Sequence, residues 1–178
     1  MNIQKDTALT IQQTSRQHSG LSAQAILLCT ALMALMMALT LPVMARADTL
    51  PSATFKSMIA HADDYGFSHY TEIEVEDDGA IEVEGWISED WRAKVDFAAD
   101  GTPVREERQQ KDGGPGGMTS DQIHAAIDTA INQGMTQIEK VEIDRLNIIE
   151  VEGKNDRNQE LEIHINADTG EVTDVKRD

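Results

Sequence analysis

Apolar and acidic residues alternate along two separate regions of the chain, and the alternation has a period of two. The apolar positions of the first region are Ile73, Val75, Ile81, Val83, Val95, Phe97 and Val104; those of the second are Val141, Ile143, Ile149, Val151, Leu161, Ile163, Ile165 and Val172. This period is typical of β-strands that bury one face and expose the other. Turn sequences rich in Asp and Gly separate the runs at short spacing, which favours hairpins and antiparallel pairing.

A helical period precedes each β region. Thr119 and Gln122 have the spacing of a capping box, so a helix is predicted to start there. An apolar stripe follows at helical spacing, and Gly134 stands where a left-handed terminating residue is expected. The stripe consists of Ile123, Ala126, Ile127, Ala130 and Ile131. A narrower stripe in the first region, formed by Phe55, Met58, Ile59 and Ala62, ends at Gly66.

The segment IEVEG occurs twice, at residues 81–85 and 149–153, and it belongs to a longer repeat. Shifting the chain by 68 positions aligns residues 55–110 with 123–178 without a gap, and 12 of the 56 pairs are identical. Helix, glycine and turn positions stay in register, which indicates two copies of one unit. The predicted fold class is therefore α+β, with two tandem modules that each pack one helix on a small antiparallel sheet.

The repeat and the composition also predict the domain boundaries. Residues 48–108 form the first repeat and residues 119–178 the second, while the Gly- and Pro-rich residues 109–118 form a linker. A unit of about 55 residues builds only a small core, so we expect the two copies to pack together. The sequence leaves open whether their sheets join edge to edge or pack face to face.

Residues 1–47 have the pattern of an export signal. Lys5 and Arg16 precede an apolar run over residues 25–43, and the small-residue site Ala45-Arg46-Ala47 follows it. We predict a signal peptide cleaved after Ala47, and a periplasmic or secreted protein that is not held at a membrane after cleavage. The alternative is an uncleaved anchor, because about 20 apolar residues can also span a bilayer.

The net charge of the chain limits the classes of partner. It is −17 overall, and because residues 1–47 carry +2, residues 48–178 carry −19. Such a charge repels nucleic acid and anionic lipid, and favours basic proteins, cations or simple solubility. The single cysteine, Cys29, lies in the signal peptide, so no disulfide is predicted in the exported part.

Neither the carboxylates nor the histidines have the spacing of a known metal or catalytic motif. The acidic strand positions are Glu72, Glu74, Glu76, Glu82 and Glu84 in the first copy, and Glu142, Asp144, Glu150 and Glu152 in the second. They lack the fixed spacing of a calcium loop, and a solvated strand face is the simpler interpretation. His61, His69, His124 and His164 lack a zinc-motif spacing, and no serine stands in a nucleophile turn. The sequence therefore predicts no enzyme activity, no metal site and no cofactor.

The two tryptophans break the symmetry of the repeat, since Trp86 and Trp91 both lie in the first copy. Trp86 shares strand parity with Glu82 and Glu84, so it is predicted on the acidic face. Exposed tryptophan is common at binding hot spots, which makes these four residues the candidate binding site. The interpretation that we favour for the rings is internal cover, against the stem of Arg92, each other or the second copy.

The final hairpin carries a family resemblance. Asp168, Thr169, Gly170, Glu171 and Val172, within IHINADTGEVTDV, resemble the PepSY family, the peptidase propeptide and YpeB domain. In the first copy, Asp100-Gly101-Thr102-Pro103-Val104 departs from the pattern, since the glycine stands one position earlier and proline replaces glutamate. The tandem arrangement is also similar to the beta-lactamase-inhibitor-like relatives of that fold.

This resemblance implies a small, exported, noncatalytic module that binds another protein and inhibits or modulates a peptidase. The alternative function is an envelope sensor or a cation-binding accessory protein, in which the carboxylates rather than the tryptophans are used.

Overall fold

A computed structural model of the chain describes residues 48–178, and the predicted signal peptide, residues 1–47, lies outside this part. No helix in residues 48–178 has both the length and the apolar character needed to cross a bilayer. The helices are α1 (Ser52–Tyr65) and α2 (Ser120–Asn132). The strands are β1 (Leu50–Pro51), β2 (His69–Val75), β3 (Ile81–Trp86), β4 (Trp91–Phe97), β5 (Pro103–Gln110), β6 (Met135–Ile143), β7 (Ile148–Asn155), β8 (Glu160–Asn166) and β9 (Val172–Arg177).

All the described strands form one antiparallel sheet in the order β5-β4-β3-β2-β6-β7-β8-β9, and the short β1 also pairs with β6. The two halves meet where β2 pairs with β6, and there Ile73 lies opposite Val141. These two residues are 68 positions apart, so equivalent residues face each other across the junction. The halves are thus related by a local pseudo-twofold axis through this pair.

The prediction of two tandem helix-on-sheet modules is wrong, because the fold is a single nine-stranded, mostly β structure. Both helices cover the same face of the sheet and touch each other, and α1 also contacts β6 of the other half. One continuous core contains residues of both halves, including Ile59, Ile73, Ile127 and Val141. A separate module would leave β2 or β6 as an open edge with unpaired backbone groups, and edge-to-edge pairing removes both edges.

Polar contacts also tie the two helices together. Lys56 on α1 lies 2.5 Å from Asp128 on α2, measured between Nζ and Oδ1. Asp63 on α1 accepts a hydrogen bond of 2.8 Å from the Ser120 hydroxyl and a second from the Tyr70 hydroxyl of β2. The start of α2 is therefore attached to the end of α1 and to the centre of the sheet.

The ends of the helices follow the sequence prediction. Thr119 and Gln122 form the complete capping box, with each side chain accepting a hydrogen bond from the other residue's backbone N–H. Gly66 and Gly134 follow the two helices with φ values of 119° and 101°, which favour glycine. The stripe of α2 is buried except at its last member, since Ile131 is 39% exposed and its predicted burial is wrong.

The glycine of each IEVEG segment allows the neighbouring strand to approach closely. A Cβ at Gly85 would lie 2.2 Å from the carbonyl oxygen of His69, and one at Gly153 would lie 2.0 Å from that of Gln137. Both carbonyls lie near register shifts in β2 and β6, which are β-bulges or similar irregularities of the pairing. Each half therefore requires a residue without a side chain at this position.

Val104 does not point into the core, contrary to prediction, and is 65% exposed. The register of β4 with β5 passes from Phe97 opposite Pro103 to Asp96 opposite Arg105, so Val104 is the extra residue of a β-bulge. Its equivalent, Val172, lies opposite Ile165 and packs against the core.

The difference originates in the two turns. The first closes with a hydrogen bond from Ala98 N–H to the Thr102 oxygen, and the second from Asn166 N–H to the Glu171 oxygen. The second loop is thus one residue longer, in agreement with the shifted glycine of the first copy. A shift of one residue exchanges the two faces of a strand, so β5 and β9 present different positions of the repeat to the core.

Candidate functional site

The face of the sheet opposite the helices carries acidic side chains from both halves. Because the halves join edge to edge, their acidic strand faces form one continuous surface, which we call the acidic face. It is defined by Glu72, Glu74, Glu82 and Glu84 from the first half and Glu142, Glu150, Glu152 and Glu162 from the second. Asp144, which was predicted with this set, instead closes the β6–β7 turn, where its Oδ1 accepts from the N–H groups of Leu146 and Ile148.

Four glutamates stand side by side across the middle of the acidic face. Glu84 lies opposite Glu72, Glu72 opposite Glu142, and Glu142 opposite Glu150, which spans strands β3, β2, β6 and β7. Like charges at directly opposite positions destabilise a sheet. The row exists only because β2 pairs with β6, so a comparison of sequence positions within either copy does not reveal it.

Lysines on the same face partly compensate this repulsion. Lys140 Nζ lies 3.2 Å from Glu72 Oε1 and 2.7 Å from Glu142 Oε2. In the first half, the ammonium group of Lys94 bridges two glutamates in the same way. Its Nζ lies 2.5 Å from Glu82 Oε1 and 3.3 Å from Glu84 Oε1. A hydrogen bond to Glu82 raises the pKa of the Lys94 ammonium. Burial acts to lower the pKa of Lys140, but hydrogen bonds to Glu142 and Glu72 outweigh it, so that this pKa is also raised.

Glu74 remains in an unfavourable environment despite these lysines. Burial raises the pKa of its carboxyl group, and the charges of Glu72, Glu76 and Glu82 raise it further, against an opposing effect of Lys140. A cation or a basic group placed over Glu74 would stabilise its ionised carboxylate.

The four predicted site residues do not form one surface. Trp86 has the predicted strand parity, opposite Arg92 and beside Glu84, but it is only 8% exposed, which agrees with internal cover. Trp91 is 41% exposed, which does not agree with it. Trp91 alternates with Arg92, so it lies on the helix side of the sheet, where it lines a shallow depression with Ile87, Ser88 and Arg108. Glu82 and Glu84 lie on the other side and are paired with Lys94.

The structure also brings together a group that the sequence analysis did not identify. Glu162 and His164 alternate on β8, and Glu150 of β7 is the cross-strand partner of His164. One ligand atom of each residue lies within 4.8 Å of the others. The available signal was the alternation Glu162-x-His164 on a predicted strand, but the third residue depends on the strand register.

Comparison with known proteins identifies no family. No family model matches the sequence, and no curated protein matches it. Among solved structures, a candidate lipoprotein from Clostridium difficile 630 has 16% sequence identity and a TM-score of 0.41, over 76% of this chain and 98% of the other. The PepSY resemblance therefore stays a prediction.

Proposed function

We propose that the protein is an exported, noncatalytic binding protein whose acidic face recognises a basic surface on a partner protein. The observation that carries the proposal is the row Glu84–Glu72–Glu142–Glu150, in which four carboxylates are adjacent across four strands. Solubility requires net charge but does not require like charges at opposite positions, where they reduce stability. A basic partner offsets this repulsion when it binds.

The charge and the leader pattern support the same function. A net charge of −19 attracts basic proteins over about one Debye length, which is longest at low salt, and speeds their association. The signal-peptide pattern of residues 1–47 supports an encounter outside the cytoplasm. Inhibition or modulation of a peptidase is the form of binding that the PepSY resemblance suggests.

The role that we assign to the tryptophans is smaller than the sequence suggested. Trp86 is buried, and Trp91 lies on the opposite side of the sheet from the acidic face. We therefore assign recognition to the carboxylates of the acidic face. A substitution of Trp91 tests the alternative, in which the partner binds around this tryptophan.

The experiment captures partners from an envelope extract on the immobilised protein and measures the affinity of the partner found. We expect the affinity to fall steeply between about 50 and 300 mM salt, because ions screen exposed charges. Glu72→Gln with Glu142→Gln should weaken binding about tenfold or more, while Trp91→Ala should change it less than about twofold.

A control pair, Asp112→Asn with Glu171→Gln, removes the same net charge from exposed positions away from the acidic face. The partner affinity of this double variant should remain close to that of the unmodified protein. Salt-independent binding that Trp91→Ala abolishes would transfer the site to the β3–β4 hairpin and refute the proposal. If the captured partner is a peptidase, its turnover in the presence of the protein distinguishes inhibition from simple association.

A further inference from the structure

Glu150, Glu162 and His164 have the arrangement of a three-ligand metal site on a sheet. Two ligands alternate on β8 and the third faces them from β7, so all three side chains project from one face. His164 Nε2 lies 2.6 Å from Glu162 Oε1 and 3.5 Å from Glu150 Oε2, and all three side chains are half-buried. An ion at this point would have three protein ligands and would keep open positions for water.

The first half of the molecule holds a cation at the equivalent place. Glu150 corresponds to Glu82, and Glu162 corresponds to Lys94. There the Lys94 ammonium lies 2.5 Å from Glu82 Oε1 and provides the positive charge internally. In the second half a glutamate replaces this lysine, so an additional carboxylate stands where the first half has its cation.

The charges of the second half compensate this substitution only in part. Lys176 of β9 forms a salt bridge with Glu162. Asp174, which also lies on β9, is the cross-strand partner of His164 and adds a further negative charge. The carboxylate of Glu150 faces the imidazole of His164 and has no lysine or arginine in an ion pair with it among residues 48–178. Burial raises the pKa of the Glu150 carboxyl, and the charge of Glu162 raises it further. Lys176 and then His164 lower the pKa of Glu162 to about 2.

We propose that Glu150, Glu162 and His164 bind a divalent transition-series ion of the Zn²⁺ type. Imidazole nitrogen and carboxylate oxygen are both ligands of Zn²⁺, and an imidazole in the set favours such ions over Mg²⁺ or Ca²⁺. The bound ion takes the place that the Lys94 ammonium has in the first half. Glu150 also belongs to the row of glutamates that carries the proposed partner binding, but metal binding is measured on the protein alone, so either proposal can fail without the other.

The test is a calorimetric titration of the untagged protein with ZnCl₂ at about pH 7.5. We expect saturation at one equivalent, an affinity at least about tenfold lower for His164→Ala, and an affinity severalfold higher for Lys176→Met, which removes the competing ammonium from Glu162. The His164 ring signals in an NMR spectrum should shift during the titration, which a purely structural effect of the substitution would not produce.

The matched control is Asp96→Ala, which removes the first-half equivalent of His164 and should leave Zn²⁺ affinity unchanged. Circular dichroism of each variant verifies that it is folded. Unsaturable binding, equal loss in Asp96→Ala and His164→Ala, or an unchanged affinity in His164→Ala would each overturn the site and indicate diffuse attraction to the acidic face.

Discussion

Single carboxylates on the acidic face are held in unfavourable positions by their neighbours. Glu74 is half-buried beside Glu82 on β3 and Lys140 on β6, and burial is the main cause of its raised pKa. A raised pKa means that the folded state binds a proton more tightly than the unfolded state does. Ionised Glu74 therefore lowers the free energy of unfolding at neutral pH.

The expected consequence is that Glu74→Gln stabilises the protein at pH 7 by up to about 1 kcal/mol, the size of a cross-strand charge effect. The contribution of Glu74 is most favourable below its unfolded pKa and is lost as pH rises through its raised folded pKa. The gain from Gln should accordingly disappear near pH 4. Urea unfolding at both pH values measures this, with the exposed Glu171→Gln as control. A loss of stability at pH 7 would mean that the contact with Lys140 outweighs burial and repulsion.

At the scale of elements, one residue in a turn decides which side chains two equivalent strands present to the core. The shorter first turn places Val104 in a bulge and leaves every residue of β5 exposed. The longer second turn keeps Val172 and Val175 of β9 against the core. The charged sequence Arg105–Arg108 suits this open edge, because charged side chains on an edge strand discourage pairing with other chains.

Two substitutions at equivalent positions test this account of the turns. Val104→Ser should change the free energy of unfolding by less than about 0.5 kcal/mol, as exposed substitutions usually do. Val172→Ser should cost about 1 kcal/mol, because it removes a half-buried apolar side chain. Urea unfolding followed by circular dichroism compares them. Equal costs at the two positions would contradict the one-residue difference in register.

At the scale of the whole molecule, the described part of the chain has one sheet and one core. The stripes of both helices, the central strands of both halves and β1 contribute to it. The junction of β2 with β6 is continuous backbone pairing, and both helices lie across the same face. A domain of this size with one core is expected to unfold in a single transition.

The two tryptophans allow a direct test, since both are in the first half and Ile127 is in the second. Ile127→Asp places an unpaired carboxylate in the core at a cost of several kcal/mol. Tryptophan fluorescence should therefore report unfolding of the first half at much lower urea, or before any urea is added. Ile131→Asp, a more exposed change on the same helix, should have a small effect. An unchanged fluorescence transition in Ile127→Asp would show that the halves unfold independently.

Local features followed from the sequence where a short-range rule determines them. The capping box at Thr119, the terminating glycines, the helical stripes up to Ile131 and the alternation of the strands each depend on residues a few positions apart. The rules that fix them are hydrogen bonding within one turn of helix and the period of the pleat.

Only the tertiary structure decided how the halves combine and which side chains meet. The sequence left the junction open between two arrangements, because β2 and β6 have apolar faces that suit either one. Edge-to-edge pairing of β2 with β6 satisfied the backbone hydrogen-bonding groups of two strand edges. The same pairing placed the four glutamates of the row next to each other. The tertiary structure also decided that Glu150 lies opposite His164, because this contact depends on the register of β7 with β8. It likewise decided that Val104 points away from the core, because Val104 lies in a bulge. Contacts between strands depend on register, and register depends on turns and partner strands rather than on the identity of the residues that it brings together.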